Sequence, residues 1–297
     1  LAIPTLTHFE YLNNDDKVSL EVPLRVHILD DSRCSVTRRF SVGYSATMGD
    51  RPSMEDSIGI EEFDDDHAIF VVCDGHSGAV ASATAAKCLC CEFRMINEKC
   101  SLPGNKEAEN KKIVEYVQNS FQKINNLLKS MNINDGCTSA LAYVRGKTVF
   151  AAGIGDSRIV RVMKKGQQRV TVDAKPYIRD EYDRLRNVGL KVSNDYRINK
   201  KLAVARALGD FWCDDGLFVL PDVQSFEITG KDYINNNDNG TNEDNDDEDE
   251  DEDEDVGIII ACDGLWDVMS DEMAAEIVRK SNTGADAAVK LKNYAFG

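Results

Sequence analysis

Three apolar runs in this chain end on an aspartate, and that repetition restricts the fold more than any other feature. Ile69-Phe-Val-Val-Cys-Asp74 leads into Gly-His-Ser-Gly78, Val149-Phe-Ala-Ala-Gly-Ile-Gly-Asp156 into Ser-Arg158, and Val256-Gly-Ile-Ile-Ile-Ala-Cys-Asp263 into Gly264. Short apolar runs bounded by glycine predict buried strands. One strand-end carboxylate is ordinarily a turn cap or a surface ion pair, and three unrelated strand-end turns are the plain alternative here. Three at one rim of a common core would repel one another unless a hard cation sat among them.

Length and charge narrow the options. With 297 residues and 42% hydrophobic residues the chain can bury a large core in one domain or two small ones. Twelve of the thirteen residues from Glu243 to Asp255 are acidic, so most of the net charge of −17 lies there and the rest is only mildly acidic. Nothing offers the basic footprint that a nucleic-acid backbone needs. No apolar run reaches the length of a membrane span. The nine cysteines are odd in number, and several sit in apolar contexts. They read as reduced core residues of an intracellular protein, cytoplasmic or nuclear. The first residue is Leu1, which leaves a preceding segment open.

Along the chain, residues 1–40 read as an N-terminal extension with a strand or two, and 41–297 as one domain. Strands are expected at Ser41–Thr47, Ser57–Glu61 and Ile69–Cys73, close enough in sequence to suggest an antiparallel sheet. Ala79–Lys99 and Lys106–Met131 predict helices. In the second, Ile113, Val117, Phe121, Ile124, Leu128 and Met131 recur at spacings of three and four. A hairpin about Arg145-Gly-Lys147 should join Thr138–Val144 to Thr148–Ile154. Arg169–Asp173 reads as a strand, Asp180–Val188 as a short helix, and Lys191–Asp215 as a long irregular excursion. Asn235–Asp255 has the composition of a disordered insertion, with docking of basic proteins or cations as its functional alternative. Helices at Asp271–Lys280 and Asp286–Phe296 close the chain.

The polar residues around the aspartates have chemistry in common. Asp74 and Asp263 end strands, Glu55 and Asp56 form an adjacent acidic pair, and Asp156 adds another carboxylate. Oxygen ligands without a histidine or cysteine set favour Mg²⁺ or Mn²⁺ over zinc. Two such ions about 4 Å apart can hold a hydroxide in line with phosphorus. Arg51 offers a planar fork for phosphate oxygens, and His76 a proton for a leaving alkoxide.

With these residues in hand, the chain resembles the metal-dependent Ser/Thr protein phosphatases of type 2C. The matching elements run in family order: Arg51-Pro-Ser-Met-Glu-Asp56, Val71-Val-Cys-Asp-Gly-His76, Gly136-Cys-Thr-Ser-Ala140, Gly155-Asp-Ser-Arg158, Asp173-Ala-Lys-Pro176, Leu202-Ala-Val-Ala-Arg-Ala-Leu-Gly-Asp210, Pro221-Asp222 and Ala261-Cys-Asp-Gly-Leu-Trp-Asp-Val268. The resemblance implies an α+β fold, a four-layer α/β/β/α sandwich of two antiparallel sheets flanked by helices. It implies hydrolysis of phosphoserine and phosphothreonine in proteins by a two-metal-activated hydroxide, in a monomer acting on phosphoproteins. Asp74 would bridge two Mn²⁺ or Mg²⁺ ions, the Gly75 carbonyl and Asp263 would ligate one each, and Glu55 and Asp56 would act through waters. Asp156 and Asp267 match positions linked to a third, weaker metal. Arg51 would clamp phosphate and His76 would be the general acid, while residues 176–206 match a lid called the flap.

The chain departs from the family pattern in three places. Ala174 stands where the family usually has histidine, and Ser77 where glycine is common. Ala295-Phe-Gly297 stops about where the family continues into a Gly-Ser-x-Asp-Asn segment and a last strand, and that aspartate is a direct metal ligand. Either the protein continues past Gly297 or it lacks that ligand, and the second case gives the alternative, a pseudophosphatase acting as a phosphoprotein-binding or scaffold module.

Overall fold

The computed structural model describes residues 41–64, 66–99, 105–218, 220–230 and 253–297, with the backbone of short strands at 10–13, 16–19 and 33–36. Strands β1 (Glu10–Asn13) and β2 (Asp16–Ser19) pair with each other, and β3 (Arg33–Val36) pairs with β4 (Ser41–Tyr44). Next come β5 (Ser57–Glu62), β6 (His67–Cys73) and β7 (Gly75–His76), then helices α1 (Val80–Lys99) and α2 (Lys106–Ser130). Strands β8 (Gly136–Cys137), β9 (Ser139–Arg145), β10 (Thr148–Ile154), β11 (Arg158–Met163) and β12 (Gln167–Arg169) precede α3 (Arg179–Asn187). The chain closes with β13 (Leu208–Gly209), β14 (Val223–Glu227), β15 (Asp255–Ala261), α4 (Asp263–Trp266), α5 (Asp271–Arg279) and α6 (Gly284–Phe296).

Side-chain alternation along the strands builds the layers. The main sheet is antiparallel in the order β14-β10-β9-β6-β5. One face presents Ile69, Val71, Leu141, Tyr143 and Phe150 to Phe93 of α1 and to Ile113, Val117, Phe121, Ile124 and Leu128 of α2. The intervening residues, Ala140, Ala142, Val144, Val149 and Ala151, turn the other way and meet Ile159 and Val170. Small side chains there let the second sheet, ordered β12-β11-β15, approach closely. The outer face of that sheet presents Val160, Val162 and Ile259 to Ala274, Ala275 and Leu291 of α5 and α6. The four-layer sandwich is therefore the observed architecture, and period-two burial produces it. Helix α2 starts where the Asn105 side chain accepts the Ala108 N–H at 2.7 Å.

Several expectations change. The strand expected at 169–173 stops at Arg169, because the Thr171 hydroxyl rather than its backbone accepts the Ile159 N–H, at 2.9 Å. Strand β4 pairs with β3 and packs against α6 instead of neighbouring β5. The excursion after α3 has a core of its own, with Leu185, Leu190, Ile198, Leu202, Val204 and Leu217 buried together. The acidic insertion expected at 235–255 lies outside the described residues except for its last three, and those belong to the fold. Asp255 opens β15 and accepts two hydrogen bonds from Arg161, at 2.6 and 2.7 Å. No disulfide joins the seven described cysteine side chains. No helix among the described residues is long and apolar enough to cross a membrane.

Candidate metal centre

Antiparallel pairing brings the strand-end acids to one rim. Register pairs Ser57 with Cys73, Val72 with Ala140, and Ser139 with Ile154 in the first sheet, and Arg158 with Ala261 in the second. Asp56 precedes β5, Asp74 follows β6, Asp156 lies between β10 and β11, and Asp263 follows β15. All four sit where a strand enters or leaves the same edge. Asp74, Cys262 and Asp263 offer ligand atoms that lie within 4.8 Å of one another, the one such group among the described residues. The Cys262 thiol donates to Asp56 Oδ2 at 3.5 Å, drawing the fourth residue in.

Electrostatics show what this cluster lacks. Burial pushes the Asp74 carboxyl up to about 9, and the neighbouring Asp56, Asp263 and Asp156 carboxylates add to the shift. Burial also raises Asp56, against hydrogen bonds from Cys262 and Asp74 and the pull of Arg51. Cys262 is raised well above the thiol range by burial and by Asp56 and Asp74, so it is a poor thiolate ligand. Oxygen ligands that resist ionisation for want of positive charge fit hard divalent cations.

Asp156 differs. It is 2% exposed, and the Lys175 ammonium sits against its carboxylate while standing 3.9 Å from Asp263. Burial still raises Asp156, but the Lys175 hydrogen bond opposes it. Lys175 was legible in the Asp-Ala-Lys-Pro motif, yet nothing local in the sequence gives it this role. Asp267 is exposed at the end of α4 and joins no close ligand group.

The remaining candidates are near the rim in different ways. Glu55 accepts a hydrogen bond from Ser53 at 3.2 Å, and its carbonyl accepts the Ser82 hydroxyl. Gly75 lies in β7 against that carbonyl, where a Cβ would stand 2.2 Å from the oxygen, so only glycine fits. Arg51 is exposed in the turn before Glu55, with its backbone N–H on Met48 O. His76, in β7, has its Nε2 2.5 Å from Asp210 Oδ2. Asp210 ends the Leu202–Asp210 motif, where nothing local signals this contact, since 134 residues separate it from His76.

An α/β/β/α sandwich with an acidic cluster suited to divalent cations at one sheet edge defines the class. The family model for protein phosphatase 2C matches residues 35–235 and 243–296, so the chain belongs to the protein phosphatase 2C family. It is 29% identical to probable protein phosphatase 2C 55 of Oryza sativa over 90% of this chain and 64% of that protein. It is 31% identical to protein phosphatase 2C homolog 1 of Schizosaccharomyces pombe over 83% of this chain and 65% of that protein. The chain thus spans just under two thirds of these relatives. A serine-threonine phosphatase 2C from Toxoplasma gondii has a similar fold, with a TM-score of 0.64 and 18% identity over 89% of this chain and 93% of that one.

Proposed function

We propose that this protein hydrolyses phosphoserine and phosphothreonine esters in phosphoproteins, with divalent cations at the Asp74 cluster. The observation that carries the reading is the convergence of Asp74 and Asp263 beside Asp56, with Asp74 pushed up to about 9 by burial and by the carboxylates around it. We infer two cations, Mn²⁺ or Mg²⁺, held by Asp74 and Asp263 with the Gly75 carbonyl, and by Glu55 and Asp56 through waters. When bound they supply water activation and neutralise phosphate charge. Lys175 already compensates Asp156, which favours two ions here over a third at Asp156 and Asp267.

The chain's own residues do the rest. Arg51, exposed next to the acidic pair, is free to fork onto two phosphate oxygens and orient the ester. His76 gives a proton to the departing serine or threonine oxygen, which otherwise leaves as a costly alkoxide. The test is release of phosphate from a phosphothreonine peptide with Mn²⁺, with EDTA, and in Asp74→Asn. We expect turnover with Mn²⁺ and a loss of at least about 1000-fold in the other two. Undiminished turnover in Asp74→Asn removes the bridging role. Peptide binding without turnover in the wild type, Mn²⁺ present, points to the pseudophosphatase instead.

A further inference from the structure

His76 is gripped from one side by a carboxylate that the surrounding fold holds in place. Asp210 is 0% exposed, and its two oxygens are divided between two donors. Oδ2 meets His76 Nε2 at 2.5 Å, and Oδ1 accepts the Trp212 indole N–H at 2.9 Å. Its backbone is in the left-handed region, φ 51°, where few side chains other than Asn and Asp settle. That turn is fixed on both sides. The Asp210 N–H donates to Asp135 O at 3.2 Å, and the Gly209 N–H donates to Asn125 Oδ1 at 3.0 Å. The Asp135 carboxylate in turn accepts the Val80 and Ala81 N–H groups at the start of α1.

The space for the pair is equally specific. A Cβ on Gly136 would stand 2.1 Å from Asp210 Oδ2 and 2.7 Å from His76 Nε2. Strand β8, which carries Gly136, is hydrogen-bonded to both β7 and β13, so it sits between the two partners. Within the excursion after α3, the Lys201 ammonium lies 5.3 Å from the centre of the Trp212 ring.

We propose that Asp210 is the positioning residue for His76, with Trp212 fixing the carboxylate; the inference rests on the general-acid role given to His76 above. With Nε2–H donated to Asp210, the ring's orientation and tautomer are set, and Nδ1 is left to carry the proton that moves. In the reaction the oxygen of water bonds to phosphorus as the bond from phosphorus to the serine or threonine oxygen breaks. The leaving oxygen keeps the electron pair and takes the proton from Nδ1. The proton released by the attacking water returns to the ring through solvent, so ester and water become alcohol and phosphate. Asp210 touches no reacting atom.

A role in aiming a proton is separable from a role in folding by the leaving group. Aryl phosphates release a weakly basic phenolate that hardly needs the proton, whereas serine and threonine oxygens do. We expect Asp210→Asn to lower kcat on a phosphothreonine peptide about 100-fold, with a loss at least about tenfold smaller on p-nitrophenyl phosphate and little change in KM. Trp212→Phe keeps the ring and removes the N–H, and should show the same imbalance at about threefold. Equal losses on both substrates in either variant, or no loss in Asp210→Asn, overturn the proposal. His76→Gln separates the two readings. If it shows the imbalance and Asp210→Asn does not, only the positioning role fails. If His76→Gln shows none, the general-acid role fails and this inference with it. Adding Asp210→Asn to His76→Gln should cause no further imbalance, because there is nothing left to aim. If Asp210→Asn melts early, Trp212→Phe decides alone.

Discussion

Two groups of half-buried carboxylates share this molecule, and only one has its positive charge built in. Around the second sheet, Arg158 donates to Asp173 at 2.9 Å and to Asp271 at 2.5 Å, while Arg169 donates to Asp271 at 2.8 Å. Burial alone would raise Asp271; hydrogen bonds from Arg169 and Arg158 outweigh it and hold the carboxyl below its ordinary value. At the rim a few residues away, Asp56 and Asp74 move in the opposite direction. The same residue type is thus ionised readily where arginine meets it and reluctantly where burial is left unopposed and other carboxylates crowd it. Asp156 stands between, buried like the rim acids but faced by Lys175. The difference separates acids that hold the sandwich together from acids that wait for a cation.

The comparison breaks most sharply at Asp74. Its raised carboxyl gives the metal-free protein stability that is present below about pH 4 and is lost as pH rises through about 9. Asp74→Asn, expected to lose turnover, should therefore melt higher than wild type in EDTA, with a gap that widens from pH 4 to 9. Mn²⁺ should close that gap by stabilising the wild type alone. A variant that melts lower than wild type in EDTA at pH 8 would falsify the uncompensated reading.

Arg158→Met should do the reverse. It strips a 9% exposed cation from two carboxylates, a loss of about 3–5 kcal/mol for a buried pair broken on one side. Chemical denaturation should show that loss with or without Mn²⁺, and a metal-dependent loss would blur the distinction. A smaller effect is expected in acid. The depressed Asp271 carboxyl contributes stability above about pH 4, lost as pH falls through its folded value. Asp271→Asn should flatten that acid limb of the stability curve. Smallest is Lys175→Met, which moves Asp156 in with the uncompensated rim acids. Mn²⁺ should then raise its melting temperature by a few degrees more than it raises that of wild type.

Much of this was readable from local pattern. Spacings of three and four in Ile113, Val117, Phe121, Ile124 and Leu128 mark a helix face whatever it packs against, and all five are buried. The hairpin joining 138–144 to 148–154 was readable too, whereas which of its side chains face the helices and which the second sheet emerged only in the fold. Asp74, Asp156 and Asp263 were visible because an acid after an apolar run is unusual wherever the run ends. The short β4 was misplaced because nothing in Ser41-Val-Gly-Tyr44 names its neighbour, which turned out to be β3. The excursion after α3 read as irregular because its buried residues follow no single period, and its core forms only on closure. Asp210 and Lys175 were present in motifs but silent, since a carboxylate's role depends on what faces it.

By itself the sequence determined which segments are helix or strand and that three strands end on an acid, because burial follows side-chain periodicity along a few neighbouring residues; the layers came only with the family resemblance. Tertiary structure alone decided which charge each acid meets. Arg158 and Asp271 are 113 residues apart, and Asp56 and Cys262 206. Coulomb and hydrogen-bond energies depend on ångströms through a low-dielectric interior, and separation along the chain carries no information about those distances.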